Sequence, residues 1–454
     1  MSIAMKINRP FAKKYGLPIV LMVSLLSGCT TYQAKPLSDD VVLPQTLMQL
    51  KGGEQKNLAS SVKLDVYQVA TIALLNNRDL NIKRAQLHVS EAQLINAKLF
   101  ADPQLSANFD QPTSNGSGLD NAWGVGLSYD VMSLLIHNTQ VKSAKYQVQQ
   151  AKLELEWQEW QTVQRARILF LRSLSEQQQL NLLASSLKLY QQRYQRSEKA
   201  MNQGNATLET VSTDLTSLVD LTSQINQLSQ THSQTQQALS ELMGLDSRVI
   251  INLTASNASK IVEVQALEVA LKHLPAKRPD LLALKAGYQS QEMKVYQAVL
   301  NQFPSINIGF NHASDTGGVV TDGLSMSINL PIFNGNKGVI AQQRATRKQL
   351  KLVYDNRLKQ SVNQVHNLLK KRRLLNDRLT SLNLYLPKLK TLVNQATPAY
   401  NDGNLDALVY INLENSWIQK QLERLKVQEQ ISLNGIALDT LLAIPFKNAS
   451  GENK

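Results

Sequence analysis

Asp102-Pro103-Gln104-Leu105-Ser106-Ala107-Asn108-Phe109 and Phe303-Pro304-Ser305-Ile306-Asn307-Ile308-Gly309-Phe310 are one pattern written twice, 201 residues apart. Asp79-Leu80 meets Asp280-Leu281 at the same offset, as does Trp123-Gly124-Val125-Gly126-Leu127 with Leu324-Ser325-Met326-Ser327-Ile328. Further along, Gly204-Asn205 meets Gly403-Asn404 and Ala238-Leu239 meets Ala437-Leu438, now at 199. The 454-residue chain is therefore two copies of a unit of roughly 200 residues. That is far longer than a solenoid period, so it marks a duplication rather than an array.

Both units have the same internal order. An Ala/Leu/Gln-rich helical stretch comes first, at 64–99 and 267–300. Two alternating segments follow around a Gly/Ser/Asn/Asp loop, which is a hairpin signature. They are 104–109 and 123–131 in the first unit, with Pro112, Asn115, Gly116 and Gly118 between them. In the second they are 305–310 and 324–332, with Gly317, Gly318 and Gly323 between. Long helices come next, because breakers are scarce: Gly204 is the only Gly between Gly126 and Gly244, and Gly403 the only one between Gly338 and Gly435. A helix over 139–201 would hold about 63 residues and run roughly 95 Å. Gly with Asn beside it suits a tight helix-to-helix turn, since both tolerate positive φ. Pro387 predicts a kink in the second long helix, and Pro398 an irregular last turn. Narrow apolar stripes, such as Leu153, Trp157, Trp160 and Val163, require neighbouring helices for burial.

Composition narrows the function. Lys and Arg number 48 against 35 Asp and Glu, a net charge of +13, and hydrophobic residues make up 43%, which excludes a polytopic helical membrane protein. A single Cys excludes a disulfide framework and a structural Cys zinc site. That Cys is Cys29, and it follows a basic segment (Lys6, Arg9, Lys13, Lys14), a short apolar run and Leu26-Ser27-Gly28. This looks like a bacterial lipobox, with Cys29 diacylated at the mature N-terminus and Thr30 after it directing the protein to the outer membrane. Removal of residues 1–28 takes away four basic residues, leaving +9.

Four strands cannot close a barrel, and lipid forbids open sheet edges, so membrane strands here would have to be pooled from several chains. Three chains would give twelve. The alternating segments carry apolar residues on one side: Leu105, Ala107, Phe109; Val125, Leu127, Tyr129; Ile306, Ile308, Phe310; Met326, Ile328, Leu330. Trp123, Phe303 and Phe333 suit the interfaces.

On the duplication, Arg278-Pro279-Asp280-Leu281, Phe303-Pro304-Ser305-Ile306, Leu330-Pro331-Ile332-Phe333-Asn334-Gly335, the Gly204 and Gly403 turns and the paired Ala-Leu-x-x-Leu endings, the sequence resembles the TolC-type outer-membrane efflux proteins, in their lipoprotein branch. The resemblance implies a mostly α protein with membrane β: a homotrimer with a 12-strand β-barrel in outer-membrane lipid and a 12-helix periplasmic α-barrel. It implies a passive exit duct for efflux or type I secretion. Its partners would be a periplasmic adaptor and an inner-membrane transporter, proton-driven or ATP-driven. The hairpin tips near Gly116 and Gly318 would face outside. Gly204, Asn205, Gly403 and Asn404 would form the periplasmic tip that meets the adaptor. Members usually carry an acidic residue six positions after each tip Gly, where this chain has Thr210 and Val409. Thr210, Asp406, Val409 and Asn412 are thus the candidate constriction, where the acidic residue usual at those two positions is replaced by Thr and Val.

The implied organisation is a signal peptide at 1–28, an equatorial segment at 29–63, the first repeat at 64–245, a linker at 246–263, the second repeat at 264–445 and a tail at 446–454. No catalytic constellation, phosphate loop, dinucleotide fingerprint, cofactor motif or metal-ligand spacing among the six His is present. The stretch 337–378 holds twelve Lys/Arg and two acids but one Tyr and no Trp or Phe, so it reads as a solvated helix face, and no nucleic-acid partner is expected. The rival reading is a periplasmic coiled-coil scaffold or adaptor lipoprotein without a barrel.

Overall fold

The computed structural model describes residues 32–40, 42–51, 63–113, 118–254 and 264–444, of which 264–270 as backbone. Residues up to 43 form a unit of their own, and its described part carries no helix or strand. From Pro44 onward the order is α1 (Val66–Asn76), α2 (Arg78–Lys98), β1 (Gln104–Asp110), β2 (Ala122–Asp130), α3 (Val131–Asn202), α4 (Leu208–Leu242), then α5 (Val264–Lys277), α6 (Pro279–Leu300), β3 (Ser305–Ser314), β4 (Val320–Asn329), α7 (Lys337–Asn401) and α8 (Ala407–Leu441). The second six elements repeat the first six in kind and order.

Several boundaries correct the expectations. The first helical stretch of each unit is two helices. Asn77 is extended, and its side chain caps α2 by accepting from Leu80 N–H at 3.1 Å. Arg278 is extended in front of Pro279, as a residue before proline prefers. The long helix α3 begins at Val131, directly after β2, because Asp130 accepts from Met132 N–H at 2.9 Å and caps it. At 72 residues it runs about 108 Å. Helix α7 is continuous through both Pro387 and Pro398. Gly323 lies within β4, not in the loop.

The four strands make one antiparallel sheet in the order β1-β2-β3-β4. The hairpins have matching registers: Phe109 faces Trp123 and Phe310 faces Leu324, each pair displaced by 201. Side chains alternate across the pleat. Leu105, Phe109, Trp123, Val125, Leu127, Ile306, Ile308, Phe310, Leu324, Met326 and Ile328 share one face and are all exposed. The other face carries Ser106, Asn108, Gly124, Gly126, Ser128, Asn307, Gly309, Ser325 and Ser327. Gly124 and Gly126 leave room there for Asn108 and Asn311, whose amide oxygens lie where a Cβ would stand. The apolar face has no helix over it, the reverse of an ordinary half-buried antiparallel sheet.

The hydrophobic cores sit along the helices. The largest surrounds α1, which Asp65 and Gln68 start with a capping box. Val66, Val69 and Ile72 bury there against Ala166, Phe170, Leu239 and Met243, each large side chain contributing about 1.5–3 kcal/mol. The second repeat reproduces this core with Val365, Leu438 and Leu442, 199 residues after Ala166, Leu239 and Met243. Arg278 is fully buried beside it, forked onto Asp280 at 2.9 and 2.6 Å, and Asp280 also accepts from Arg357 at 2.8 Å. Burial opposes the Asp280 carboxylate, but the two guanidinium groups outweigh it and hold its pKa below the ordinary range.

Candidate functional site: the helix turns and the ion cluster behind them

Two turns join the long helices, and they are built alike. Gly204 and Gly403 sit at φ +74° and +73° after α3 and α7. Asn205 N–H donates to Ala200 O and Asn404 N–H to Ala399 O, both at 2.8 Å, which closes the last helical turn in Schellman fashion. The next helices are capped by different side chains. Thr207 Oγ1 accepts from Thr210 N–H at 3.2 Å at the head of α4. Asp406 Oδ1 accepts from Leu408 N–H at 2.8 Å and Val409 N–H at 3.3 Å at the head of α8. Leu208, Leu408 and Val409 stand exposed in the first turns of these helices.

About three helical turns behind the bends lies a buried ion cluster. Arg193 of α3 has Nε 2.7 Å from Asp214 Oδ1 of α4 and Nη1 2.7 Å from Glu414 Oε2 of α8. All three side chains are buried, Asp214 completely. The guanidinium also lies 4.4 Å from the Tyr190 ring centroid, and the Tyr190 hydroxyl donates to Asn415 Oδ1. Tyr410 stacks on Tyr400, centroids 4.6 Å apart. Arg193 lies between two carboxylates, all of them withdrawn from water. Burial accordingly pushes the Glu414 carboxyl pKa up, with Arg193 opposing, and burial also raises the Tyr190 hydroxyl.

This cluster ends a polar ladder between the repeats. Helices α3 and α8 run antiparallel, linked by Arg193–Glu414, Tyr190–Asn415, Ser175–Glu429 at 2.8 Å and Arg167–Asp439 at 3.0 Å. The ladder holds the first helix pair against the second along more than 25 residues of α3.

Residues 270–443 match the family profile described as outer membrane efflux protein. That match covers the second repeat, and the chain as a whole is similar to proteins of that kind. It is 24% identical over 452 residues to the cation efflux system protein CusC of Escherichia coli O6:H1, covering 92% of this chain and 96% of that one. The probable outer membrane lipoprotein SilC of Salmonella typhimurium is 22% identical over 388 residues, covering 82% and 84%. The Campylobacter jejuni CmeC outer membrane channel has the same fold, with a TM-score of 0.72 at 14% identity over 91% of this chain and 93% of that one.

The residues singled out from sequence fall in different places. Gly204, Asn205, Gly403 and Asn404 form the two turns. Among the constriction candidates, Asp406 is committed to capping α8, and Thr210 contacts Thr207 through its hydroxyl at 3.1 Å. Val409 and Asn412 are exposed on α8 with no side-chain bond among the described contacts. Cys29 and Gly116 lie outside the described residues. The basic stretch of α7 is a largely solvated face: Arg347, Arg357 and Arg378 reach Glu292, Asp280 and Glu423, while Lys348, Lys351, Lys359, Lys370 and Lys371 are exposed. Sequence reasoning missed Arg193, Glu414 and Asp439, whose partners lie hundreds of positions away. Among the described residues no group of three His, Cys, Asp or Glu side chains could hold a metal ion, and no helix is long and apolar enough to cross a membrane.

Proposed function

We propose that three copies of this chain form an outer-membrane exit duct, its twelve strands closing a barrel and its twelve long helices a periplasmic tunnel. Solutes delivered by an inner-membrane transporter through a periplasmic adaptor pass along it to the outside. The observation that carries this is the sheet: a largely exposed, largely apolar face, a Gly/Ser/Asn face behind it, and two unpaired edges on strands of 7–10 residues. Such a face in water would be a large liability, and such edges in lipid are forbidden; a closed multi-chain barrel removes both. Cys29 carries the lipid anchor. The turns at Gly204 and Gly403 meet the adaptor, and Val409 and Asn412, with Thr210 and Asp406 beside them, line the narrow end.

Purified lipidated protein is examined by mass and by planar-bilayer conductance. Trimers that conduct are expected, with Val409→Asp or Asn412→Asp changing conductance or ion selectivity. Folded monomers without channels would return the chain to the scaffold reading.

A further inference from the structure

The two repeats face each other across a cavity of about 720 Å³. Its lining includes three pairs of residues displaced by 199: Arg165 with Gln364, Ile168 with Asn367, and Leu242 with Leu441. On α3 the cavity takes the side away from the α1 core, since Gln161, Arg165 and Ile168 lie roughly 150° around the helix from Ala166 and Phe170. Most of the lining surface is apolar, and α3, α7 and α8 all contribute to it. A cavity of this size, largely apolar with a few converging polar groups, has the usual form of a small-molecule site.

One polar group in the lining is incomplete. Gln164 is 3% exposed, and its Oε1 accepts from Arg167 Nη1 at 2.8 Å, while Arg167 Nη2 donates to Asp439 Oδ2 at 3.0 Å. A guanidinium only donates, so the amide stands with its oxygen on Arg167 and its nitrogen turned away from it. That nitrogen is buried and has no hydrogen-bond partner among the described residues. A buried donor without an acceptor carries its full desolvation penalty, which an oxygen of a ligand would relieve. Arg165, the next residue, lines the same cavity, is exposed, and makes no ion pair among the described residues. Asp79, the one acid in the lining, belongs to α2 rather than α3.

We propose that this cavity binds a small amphiphilic carboxylate, with its oxygens on Gln164 Nε2 and the Arg165 guanidinium and its apolar body against Ile168, Leu368 and Leu441. The site lies within one chain and goes beyond the duct reading. An apolar body alone gains only burial. A carboxylate adds charge-assisted hydrogen bonds, whereas an ammonium group sets donor against donor at Gln164 and cation against cation at Arg165. The order of binding is therefore carboxylate, then the uncharged body, then the amine.

The test labels the full lipidated protein with 4-benzoylbenzoate, a photoreactive aromatic carboxylate, beside benzophenone and 4-(aminomethyl)benzophenone, and maps the adducts by mass spectrometry. The expected result is adducts concentrated at 158–168 and 437–441, displaced by decanoate, and about tenfold weaker for benzophenone. Gln164→Glu keeps an oxygen for Arg167 but puts a carboxylate oxygen in place of the free N–H, so it should cut labelling by the carboxylate about tenfold or more. Arg165→Gln, at an exposed position, should cut it about threefold. Ile168→Trp, which fills the cavity, should remove labelling by all three probes. Equal labelling by the carboxylate and the amine, or labelling unchanged in both Gln164→Glu and Arg165→Gln, overturns the ligand class. Adducts scattered elsewhere, or none in these segments, overturn the site. Mass and conductance of the same preparation are read separately: conducting trimers without adducts there lose the site and keep the duct, whereas labelled monomers that do not conduct lose the duct and keep the site.

Discussion

Arg193 gives the sharpest test of the buried cluster. Replacing it with Met keeps much of the stem volume but leaves Asp214 and Glu414 without the guanidinium between them, with only the more distant Lys390 acting on Glu414. Breaking a buried pair from one side costs about 3–5 kcal/mol, to which the lost contact with Tyr190 adds about 0.5–2 kcal/mol. Replacing Glu414 with Gln is a very different perturbation. Arg193 keeps Asp214 at 2.7 Å, the cluster becomes neutral, and a desolvated carboxylate is removed, so the cost is about 1 kcal/mol or less. Stability is not uniform along such a molecule, so the assay is hydrogen exchange of the amides at 208–216 and 408–416. Each 1.4 kcal/mol is a factor of ten, so Arg193→Met should lower protection there by about 10²–10⁴ while leaving the α1 core unchanged. Glu414→Gln should change it by less than about tenfold. It should also alter the pH dependence. The Glu414 pKa is raised on folding, so its protonated form favours the native state; the stabilisation is complete below the unfolded value and is lost as pH rises through the folded one. Wild type should lose protection over that window, by at most about 1.4 kcal/mol per pH unit, and Glu414→Gln should not. Equal effects of the two substitutions would refute the charge balance argued for the cluster.

Other positions make separate predictions. Gly204→Ala and Gly403→Ala meet no neighbouring atom, so their cost is purely that of positive φ, about 1–2 kcal/mol each by thermal unfolding, whereas Gly435→Ala inside α8 should stabilise by about 0.5–1 kcal/mol. Asp280 has the opposite linkage to Glu414: its pKa is lowered on folding, so its contribution is present above the unfolded value and is lost as pH falls through the folded one. Arg278→Lys, which surrenders the fork, should therefore weaken resistance to acid unfolding measured by circular dichroism. Residues 99–141 and 295–336 contain six Asp and no Lys or Arg, so single channels in a salt gradient should show a reversal potential of cation sign, reduced by Asp110→Asn with Asp130→Asn.

The sheet and the turns were legible because their signals are local and doubled. A strand pair whose apolar positions recur at the same offset in both copies fixes face and register together, and Gly-Asn in an otherwise Gly-free stretch can be little but a bend. The helix starts were less legible. Val131 to Ile136 is an apolar run that reads as strand or helix alike, and only Asp130 in front of it, a capping residue, marks the change. Asn77 breaks the first helical stretch with neither Gly nor Pro, and it does so by offering its side chain to Leu80 N–H. The ladder between α3 and α8 was not legible at all. Arg193 and Glu414 are 221 positions apart, and nothing near either one separates it from the other charges on a polar helix face.

The polar ladder and the apolar cores divide the labour along the helices. Around α1 the second layer of helices buries Val, Leu and Phe, and the two repeats do so at matching positions. Towards the turns the second layer has ended, and Leu183, Leu221, Ile418 and Leu422 form only a thin seam. There the chain uses directional pairs, Arg193 above all, to hold α3, α4 and α8 together. Dispersion contacts tolerate small shifts, but a buried guanidinium held between two carboxylates does not, because separating it from both leaves buried charges unpaired. The end of the molecule nearest the turns is thus the part whose helix spacing depends on charge and hydrogen bonding, and it is where substitution or acid can change that spacing without disturbing the sheet or the α1 core.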